Sequence, residues 1–356
     1  MNGDTDVRYP AHLAGSLARL PATIPAMRDV MDDARRMLAN GRRVAVATVV
    51  QTKRSAPRPL GSRLLVAEDG EMAGSVSGGC VESEVALRAQ EVLESGRPEL
   101  ISYGITDDDA FEVGLPCGGE IEVFVQPLDD AELDRVSQAI GDGERLSVTT
   151  TLAGERAGEK TYGQGEAHSA ARREGDTLVE HYAPAPVLMV FGAVDTAQAL
   201  CRMAKQVGFR TIVSDARTRF ATPERLPDAD QIILGWPAMA YDAHPPDEAT
   251  YVVVLTHDAR FDEPALGPAL RSQVPYIGAL GSRRAQEKRR ERLLNAGYTE
   301  ADIARISGPL GLDIGAVTPG ETAVSILAEV LAVRGGRDGG RLSESPGRIH
   351  PETVAS

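Results

Sequence analysis

Two cysteines of this chain stand beside paired glycines, and they are the residues best placed to do chemistry. One segment is Ser77-Gly78-Gly79-Cys80, and the other is Cys117-Gly118-Gly119. Paired glycines allow backbone conformations that other residues rarely adopt, so a ligand can approach the main chain closely. The alternative for each segment is a structural cysteine, because free cysteine often packs as a small hydrophobic residue. The presence of two such segments favours a shared thiol site, with Cys80 and Cys117 close together in space.

The three thiols of the chain are expected to differ in reactivity. Cys80 comes just before a predicted helix that begins near Val81-Glu82, and a helix N-terminus favours the charged thiolate. Cys117 is followed by glycines and not by a helix start, so we expect its thiol to be less activated. Cys201 lies within a helical pattern and is expected to be inert core.

The second half of the chain contains a loop of the dinucleotide-binding type. Gly192-Ala193-Val194-Asp195 stands between a predicted strand and a predicted helix, where Rossmann folds bind a pyrophosphate. Val194 replaces the second glycine of the usual motif, and its side chain would crowd the pyrophosphate. Asp215 ends the next strand, at the position of a ribose-binding acid. We therefore expect NAD and NADP to bind poorly, although Gly192, Asp195 and Asp215 still mark the ligand-binding edge.

Three more segments follow later strands of the same pattern. His257-Asp258 lies at the carboxyl edge of the predicted sheet, where His257 is either a ligand or acid/base group or a hydrogen-bonded structural residue. Gly281-Ser282-Arg283-Arg284 enters a basic helix, and its free N–H groups and arginines are suited to a phosphate. The later basic residues, 288–292, are interpreted as a solvated helix face. Asp313 stands in a glycine loop and is a further candidate contact.

Composition excludes several classes of protein. With 356 residues, of which 42% are hydrophobic and 25% charged, the chain is large enough for two domains with cores of their own. A net charge of −14 argues against a general nucleic-acid binder. No apolar run approaches the roughly 20 residues of a membrane span, and no secretory signal is evident. Three cysteines without dense spacing indicate a reducing compartment, so we expect a cytoplasmic protein.

The order of apolar and polar segments predicts an α/β protein with a Rossmann-like second domain. Short apolar runs at 187–190, 211–213, 231–234, 251–255 and 275–277 alternate with helix-length segments, which is typical of a doubly wound parallel sheet. We expect five regions: a flexible tail (1–25), an N-terminal α/β domain with the glycine-flanked cysteine loops (26–140), a linker with short strands (141–185), the Rossmann-like domain (186–334) and a disordered tail (335–356).

Taken together, these segments resemble the XdhC/CoxI family, accessory factors for xanthine dehydrogenase and related molybdenum hydroxylases. The resemblance covers residues 27–334, and it is specific through the order and spacing of its pieces. The pieces that carry it are Ser55-Ala56-Pro57-Arg58 with Gly61, residues 74–82 (GSVSGGCVE), Cys117-Gly118-Gly119, His257-Asp258, residues 276–283 (YIGALGSR) and residues 309–315 (PLGLDIG).

The resemblance implies a two-domain protein that binds a molybdopterin-type molybdenum cofactor, protects it during terminal sulfuration and inserts it into an apo-hydroxylase. Its partners would be that hydroxylase, of the xanthine dehydrogenase type, and a cysteine desulfurase, and family members often form homodimers. Cys80 and Cys117 would contact molybdenum, because thiolates suit soft metals. The implied cofactor-binding residues are Gly78, Gly79, Gly118, Gly119, Gly192, Asp195, Asp215, His257, Gly281, Ser282, Arg283 and Asp313.

Two other functions remain open at this stage. An NAD(P)-dependent oxidoreductase would use the Rossmann half, and Val194 argues against it. A thiol redox protein would use Cys80 and Cys117, which lack a Cys-x-x-Cys arrangement. The chain is not itself a complete molybdenum hydroxylase, since its three cysteines cannot supply the four thiolates that one [2Fe–2S] cluster normally needs. We expect an accessory protein and not a self-standing enzyme.

Overall fold

The structure is a computed structural model that describes residues 27–53, 58–104 and 119–345. Among these residues the chain divides into two compact units, one formed by residues 27–184 and the other by residues 185–345. The predicted tail 1–25, Cys117 with Gly118, and residues 346–356 lie outside the described ranges. None of the helices in those ranges has both the length and the apolar character that a membrane span requires.

The first unit is built around a five-stranded sheet. Its strands are β1 (Val44–Lys53), β2 (Arg63–Ala67), β3 (Met72–Gly74), β4 (Glu99–Tyr103) and β5 (Glu120–Pro127). They lie in the order β3-β2-β1-β5-β4, and every neighbouring pair is antiparallel. Strand β1 lies in the middle of the sheet. Its side chains are apolar in a continuous run because both faces of the strand are covered.

Three helices and a second sheet cover the two faces of this sheet. The helices are α1 (Met27–Ala39), α2 (Glu82–Ser95) and α3 (Asp130–Gly141). Helix α2 packs on one face, with Val85, Ala89 and Val92 in its buried stripe. Helices α1 and α3 pack on the other face together with residues of the second sheet.

The second sheet replaces the predicted linker. Residues 141–185 contain β6 (Leu146–Thr151), β7 (Lys160–Gln164), β8 (Ala170–Glu174) and β9 (Thr177–Tyr182), paired antiparallel in the order β7-β6-β9-β8. The short strands predicted in this segment are therefore present, but they belong to a four-stranded sheet and not to a linker. Its strands are polar on one face, but Val148, Leu178 and Tyr182 are buried against the first sheet and anchor the segment there.

A buried charged cluster joins the two sheets. The Arg63 guanidinium on β2 lies 2.6 Å from a Glu180 carboxylate oxygen on β9 and 3.1 Å from the Tyr182 hydroxyl. Nearby, the Lys160 ammonium lies 3.2 Å from the Glu132 carboxylate. Burial raises the pKa of Glu180, and the charge of Arg63 opposes that effect. Two cations and two carboxylates therefore share the interior of the unit.

The second unit contains a six-stranded parallel sheet, which confirms the predicted doubly wound fold. Its strands are β10 (Val187–Phe191), β11 (Arg210–Asp215), β12 (Gln231–Leu234), β13 (Thr250–Val254), β14 (Tyr276–Ala279) and β15 (Ile306–Ser307). They lie in the order β12-β11-β10-β13-β14-β15, and all neighbouring pairs are parallel. Chain order reverses between β10 and β13, so this is the switch point of the sheet.

Helices pack on both faces of the parallel sheet. They are α4 (Asp195–Gln206), α5 (Pro237–Ala243), α6 (Ala259–Leu270), α7 (Arg283–Asn295), α8 (Glu300–Ile303) and α9 (Pro319–Arg334). Helices α4 and α9 cover one face, and α5, α6 and α7 cover the other. Residues 335–345 continue past α9 and include a short 3-10 helix, Leu342–Glu344.

Candidate functional site

Three loops that carry motif residues follow strands that end on the same side of the antiparallel sheet. Strands β1, β3 and β4 run in the same direction, since β2 separates the first two and β5 separates β1 from β4. The loop after β1 contains Gly61, the Cys80 loop follows β3, and the segment that holds Cys117 connects the end of β4 to the start of β5. Cys117 and Gly118 lie outside the described residues, so the proximity of the two thiols stays a prediction.

The Cys80 loop has the backbone that its glycines predict. Gly78 and Gly79 have φ angles of 76° and 109°, in the left-handed region that favours glycine. Cys80 is a free, exposed cysteine at the tip of this loop. Gly119, on the far side of the Cys117 segment, is buried directly before β5.

The carboxylate of Glu82 holds the loop in place. It accepts hydrogen bonds from the Ser75 hydroxyl at 2.6 Å and from the N–H groups of Ser77 at 2.9 Å, Gly79 at 2.8 Å and Val76 at 3.2 Å. The Ser77 hydroxyl also donates to it. Burial alone would raise the pKa of Glu82, but these bonds outweigh burial and lower the pKa to about 2. The side chain is therefore a permanent internal anion at neutral pH.

The hydrogen bonds to Glu82 and Ser77 determine which groups of the loop are available to a ligand. The N–H groups of Cys80 and Val81 each donate to the Ser77 hydroxyl at 2.9 Å. Since these amides and the ones bound to Glu82 already have acceptors, the glycine loop is not a phosphate cradle. The group that the loop exposes is the free thiol of Cys80. Sequence reasoning missed the role of Glu82; its only signal was an acidic residue five positions after Ser77, at the start of a helix.

Cys80 and Cys201 occupy opposite environments. Helix α2 begins two residues after Cys80, as predicted, with Val81 as its N-cap and no side-chain cap. The Glu82 carboxylate brings a negative charge to that helix terminus. Cys201 is fully buried in α4, and burial raises the pKa of its thiol to about 11. Its predicted place in the core is confirmed.

In the second unit, Gly192 lies at the switch point between β10 and β13. It has a φ angle of 111°, and a Cβ atom there would lie 2.9 Å from the methyl carbon of Thr256. Its N–H donates to the Ser214 carbonyl at 2.9 Å. The glycine is therefore needed for the close packing of neighbouring loops at the carboxyl edge of the sheet.

Asp215 is used inside the fold, although its position is that of a ribose-binding acid. It is buried and accepts hydrogen bonds from the Ala193 N–H at 2.8 Å and from the Arg217 guanidinium at 2.6 Å. Burial would raise the pKa of Asp215, but the Arg217 and Ala193 hydrogen bonds hold it below its ordinary value. Val194 is partly buried and packs against the core. The carboxylate of Asp215 is engaged inside the fold, which is a second obstacle to a dinucleotide.

The remaining candidates on this edge are exposed. Asp195 begins α4 and forms an ion pair with Arg225 at 2.7 Å. His257 is exposed, and its side chain has no hydrogen bond or ion pair with another described residue. Asp258 caps α6 through the Arg260 N–H at 3.0 Å, which gives it a structural role.

Helix α7 begins at Arg283 and has Ser282 as its N-cap. Gly281 has a φ angle of 132°, and the Ser282 hydroxyl accepts a hydrogen bond from the Ala285 N–H at 3.3 Å. Arg283 and Arg284 are exposed and form no ion pair with any carboxylate in the described ranges. Two uncompensated cations therefore lie beside a helix N-terminus. Asp313 is also exposed, in the loop between β15 and α9.

The prediction of a solvated basic face on α7 is wrong for Arg289. This residue is buried and lies 2.8 Å from the carboxylate of Asp262, which is buried as well. The same guanidinium donates to the Leu280 carbonyl at 3.0 Å, and the Thr256 hydroxyl donates to Asp262. Burial is possible because Asp262 compensates the charge. The pair joins the loop after β13 to the loop after β14.

Within the described ranges, no group of three or more histidine, cysteine or acidic side chains is close enough to hold a metal ion. In the described part of the chain, the first unit thus offers an exposed thiol. The second unit offers a sheet edge with a helix N-terminus, two exposed arginines and an exposed histidine.

Two family models match the chain. The XdhC Rossmann domain matches residues 188–330, and the XdhC and CoxI family model matches residues 37–104. A crystal structure of a xanthine dehydrogenase from Bacillus halodurans is similar, with a TM-score of 0.69, 27% identity and coverage of 89% of this chain and 98% of that one.

Two curated relatives extend over most of the chain. The molybdenum cofactor insertion chaperone PaoD of Escherichia coli (strain K12) is 30% identical over 317 residues, which span 86% of this chain and 88% of PaoD. A probable xanthine dehydrogenase subunit of Bacillus subtilis (strain 168) is 27% identical over 324 residues, 84% of this chain and 95% of that protein. These matches cover both units and confirm the resemblance seen in the sequence motifs: the chain belongs to the XdhC and CoxI family.

Proposed function

We propose that this protein binds a molybdopterin-type molybdenum cofactor as cargo and inserts it into a molybdenum hydroxylase of the xanthine dehydrogenase type. The observation that carries the proposal is the exposed Cys80 on a loop held by Glu82, in a chain that aligns over most of its length with a molybdenum cofactor insertion chaperone. The Bacillus subtilis relative, whose name is that of a probable xanthine dehydrogenase component, supports the choice of target.

The donor groups fit this cargo in their chemistry. Molybdenum in the cofactor is thiophilic, and the free, exposed thiol of Cys80 offers a soft ligand. The cofactor also carries a phosphate, for which the α7 N-terminus with Ser282, Arg283 and Arg284 supplies N–H groups and positive charge. In the first unit, the amides of the glycine loop already have acceptors, so we propose that this loop contacts the metal through the Cys80 thiol and does not bind phosphate. In the second unit, the start of α7 is proposed as a phosphate site.

The same proposal includes further contacts and partners. Gly192, His257 and Asp313 would border the cargo at the carboxyl edge of the Rossmann sheet, with Asp195 and Asp215 shaping that edge. Cys117, with Gly118 and Gly119, would supply a second thiol. A cysteine desulfurase would provide the terminal sulfur, and the protein would act in the cytoplasm as a homodimer.

Mass spectrometry of released ligands tests the proposal directly. The protein, purified anaerobically from cells that make molybdopterin, is expected to release a pterin that contains molybdenum after acid treatment. The Cys80→Ser variant, purified in parallel, is expected to release little of it. Recovery of a nicotinamide dinucleotide, or of no pterin from the parent protein, would overturn the proposal.

NADH is expected to bind poorly. The acid at the ribose-binding position, Asp215, already accepts hydrogen bonds from the Ala193 N–H and the Arg217 guanidinium. A fluorescence titration with NADH should show no saturable change at about 10 μM, within the range of ordinary dinucleotide sites. The variant Val194→Gly restores the usual motif yet should not restore binding, since Asp215 stays engaged. Tight saturable binding by either protein would revive the oxidoreductase alternative.

A further inference from the structure

The only tryptophan of the chain, Trp236, is half exposed at the carboxyl edge of the parallel sheet. Its exposed fraction is 50%, and it follows β12 closely, as the N-cap of α5. Its ring lies on the ring of Phe261, with centroids 5.5 Å apart and planes tilted by 34°. Tryptophan is usually well buried, so a half-exposed ring at a ligand-binding edge needs an explanation.

Trp236 belongs to a row of aromatic rings that reaches the switch point of the sheet. Phe261 lies 6.4 Å from Phe191, and Phe191 lies 5.2 Å from Tyr241, measured between ring centroids. Phe191 is the last residue of β10, and Phe261 lies in the first turn of α6, just after β13. Strands β10 and β13 flank the crevice in which open α/β sheets bind their ligands. The exposed face of Trp236 is therefore backed by packed rings beside that crevice.

We propose that Trp236 is the stacking platform for a planar heteroaromatic ring of the ligand that binds at this edge. The inference rests on the proposed function, in which that ring is the pterin of the cofactor or a nucleobase attached to it. A rigid aromatic face suits any such ring, because stacking does not depend on a particular hydrogen-bond pattern. The imidazole of His257, four residues before Phe261, is a further exposed polar group at this edge of the sheet.

The surroundings favour a small ligand over a protein surface. Leu234 and Met239 are also exposed, at 49% and 53%, and two arginines lie at the same carboxyl edge of the sheet. Arg217 forms an ion pair with Asp215, whose carbonyl accepts a hydrogen bond from the Gly235 N–H. Arg260 directly precedes Phe261 and forms an ion pair with Asp258. Three exposed apolar side chains make a small surface beside the roughly 800 Å² per partner that a stable protein interface buries.

A fluorescence titration tests the platform, since the single tryptophan reports only on this place. The full-length protein is titrated with neopterin in one arm and with cytidine and guanosine monophosphates in the other. Stacking on Trp236 is expected to quench its emission in a saturable way. The arm that binds more tightly identifies the ring as pterin or nucleobase. Absence of saturable quenching in both arms would overturn the inference.

Three variants separate stacking from general apolar contact. Trp236→Ala is expected to raise the Kd of the quenching probe about tenfold, and Trp236→Phe to raise it less, as measured by calorimetry. The matched control is Leu234→Ala, which removes an equally exposed apolar side chain outside the aromatic row and should bind like the parent. Unchanged binding by Trp236→Ala would contradict the proposal.

The same proteins distinguish this inference from the proposed function. If Trp236→Ala retains the molybdenum pterin as well as the parent does, the platform is wrong and the proposed function stands. If the parent retains no pterin, the proposed function fails. If Trp236→Ala binds the probe normally but no longer captures the hydroxylase, the ring is a protein contact and the stacking proposal is rejected.

Discussion

Replacing Cys80 with serine is expected to abolish cofactor retention and activation of the apo-hydroxylase while leaving the fold intact. The fold should survive because the loop is held by the Glu82 carboxylate and the Ser77 hydroxyl, and the thiol takes no part in those bonds. Function should fail because an alcohol is a poor ligand for a thiophilic metal. Cofactor content and hydroxylase activation are measured on the same preparations, with circular dichroism as the check on folding.

The other two cysteines provide the matched controls. Cys117→Ser is expected to give an intermediate loss, since its thiol belongs to the same predicted site without a helix start beside it. Cys201→Ser should be near normal in both assays, because that side chain is buried in the core of the other unit. A Cys80→Ser protein that activates the hydroxylase as well as the parent would show that the thiol site is wrong.

Replacing the buried Arg63 is expected to lower the free energy of unfolding far more than replacing an exposed arginine. Arg63 and Glu180 are 3% and 1% exposed, so Arg63→Met leaves a buried carboxylate without its partner. One oxygen of Glu180 already lacks a hydrogen-bond partner among the described residues, so little is available to compensate. Breaking a buried pair in this way typically costs about 3–5 kcal/mol in the free energy of unfolding. Urea denaturation measures that change.

Two comparisons identify the cause of this loss. The double variant Arg63→Met/Glu180→Leu removes both charges and should recover most of the stability, because apolar replacements of a buried pair are often nearly neutral. Arg88→Met removes an arginine that is 40% exposed beside three carboxylates, and should cost less than about 1 kcal/mol. If Arg63→Met were as mild as Arg88→Met, the cluster would not be what joins the two sheets.

The second sheet of the first unit shows where pattern reading from sequence fails. The strands over 146–151 and 177–182 are visible as short alternating runs, yet the segment is predicted to be a linker. It is polar because one face of the sheet is solvated, and its other face is buried only when β1 and β2 are present. Strand β3 has only three residues, which is too short to show a periodic pattern in the sequence.

Local sequence determined the parts of the molecule whose causes are local. The apolar runs of 187–277 are continuous because a parallel sheet is covered on both faces. Their alternation with helix-length segments therefore predicts a doubly wound parallel sheet. Gly78, Gly79, Gly192 and Gly281 have the positive φ angles that their loops require, and Ser282 caps α7 through a residue three positions away. The family motifs are built from these same loops. They could therefore be read before the fold was known.

Tertiary structure alone decided what the polar side chains do. Arg289 is buried because Asp262, 27 positions away in the chain, compensates its charge. The Asp215 carboxylate accepts a hydrogen bond from the Ala193 N–H, and the ring of Trp236 packs on that of Phe261, which belongs to a different helix. Glu82 is close in sequence to its hydrogen-bond donors, yet they reach its carboxylate only because Gly78 and Gly79 adopt positive φ angles. A charge or a ring is stabilised by whatever lies within a few ångströms, and only the folded chain determines which residues those are.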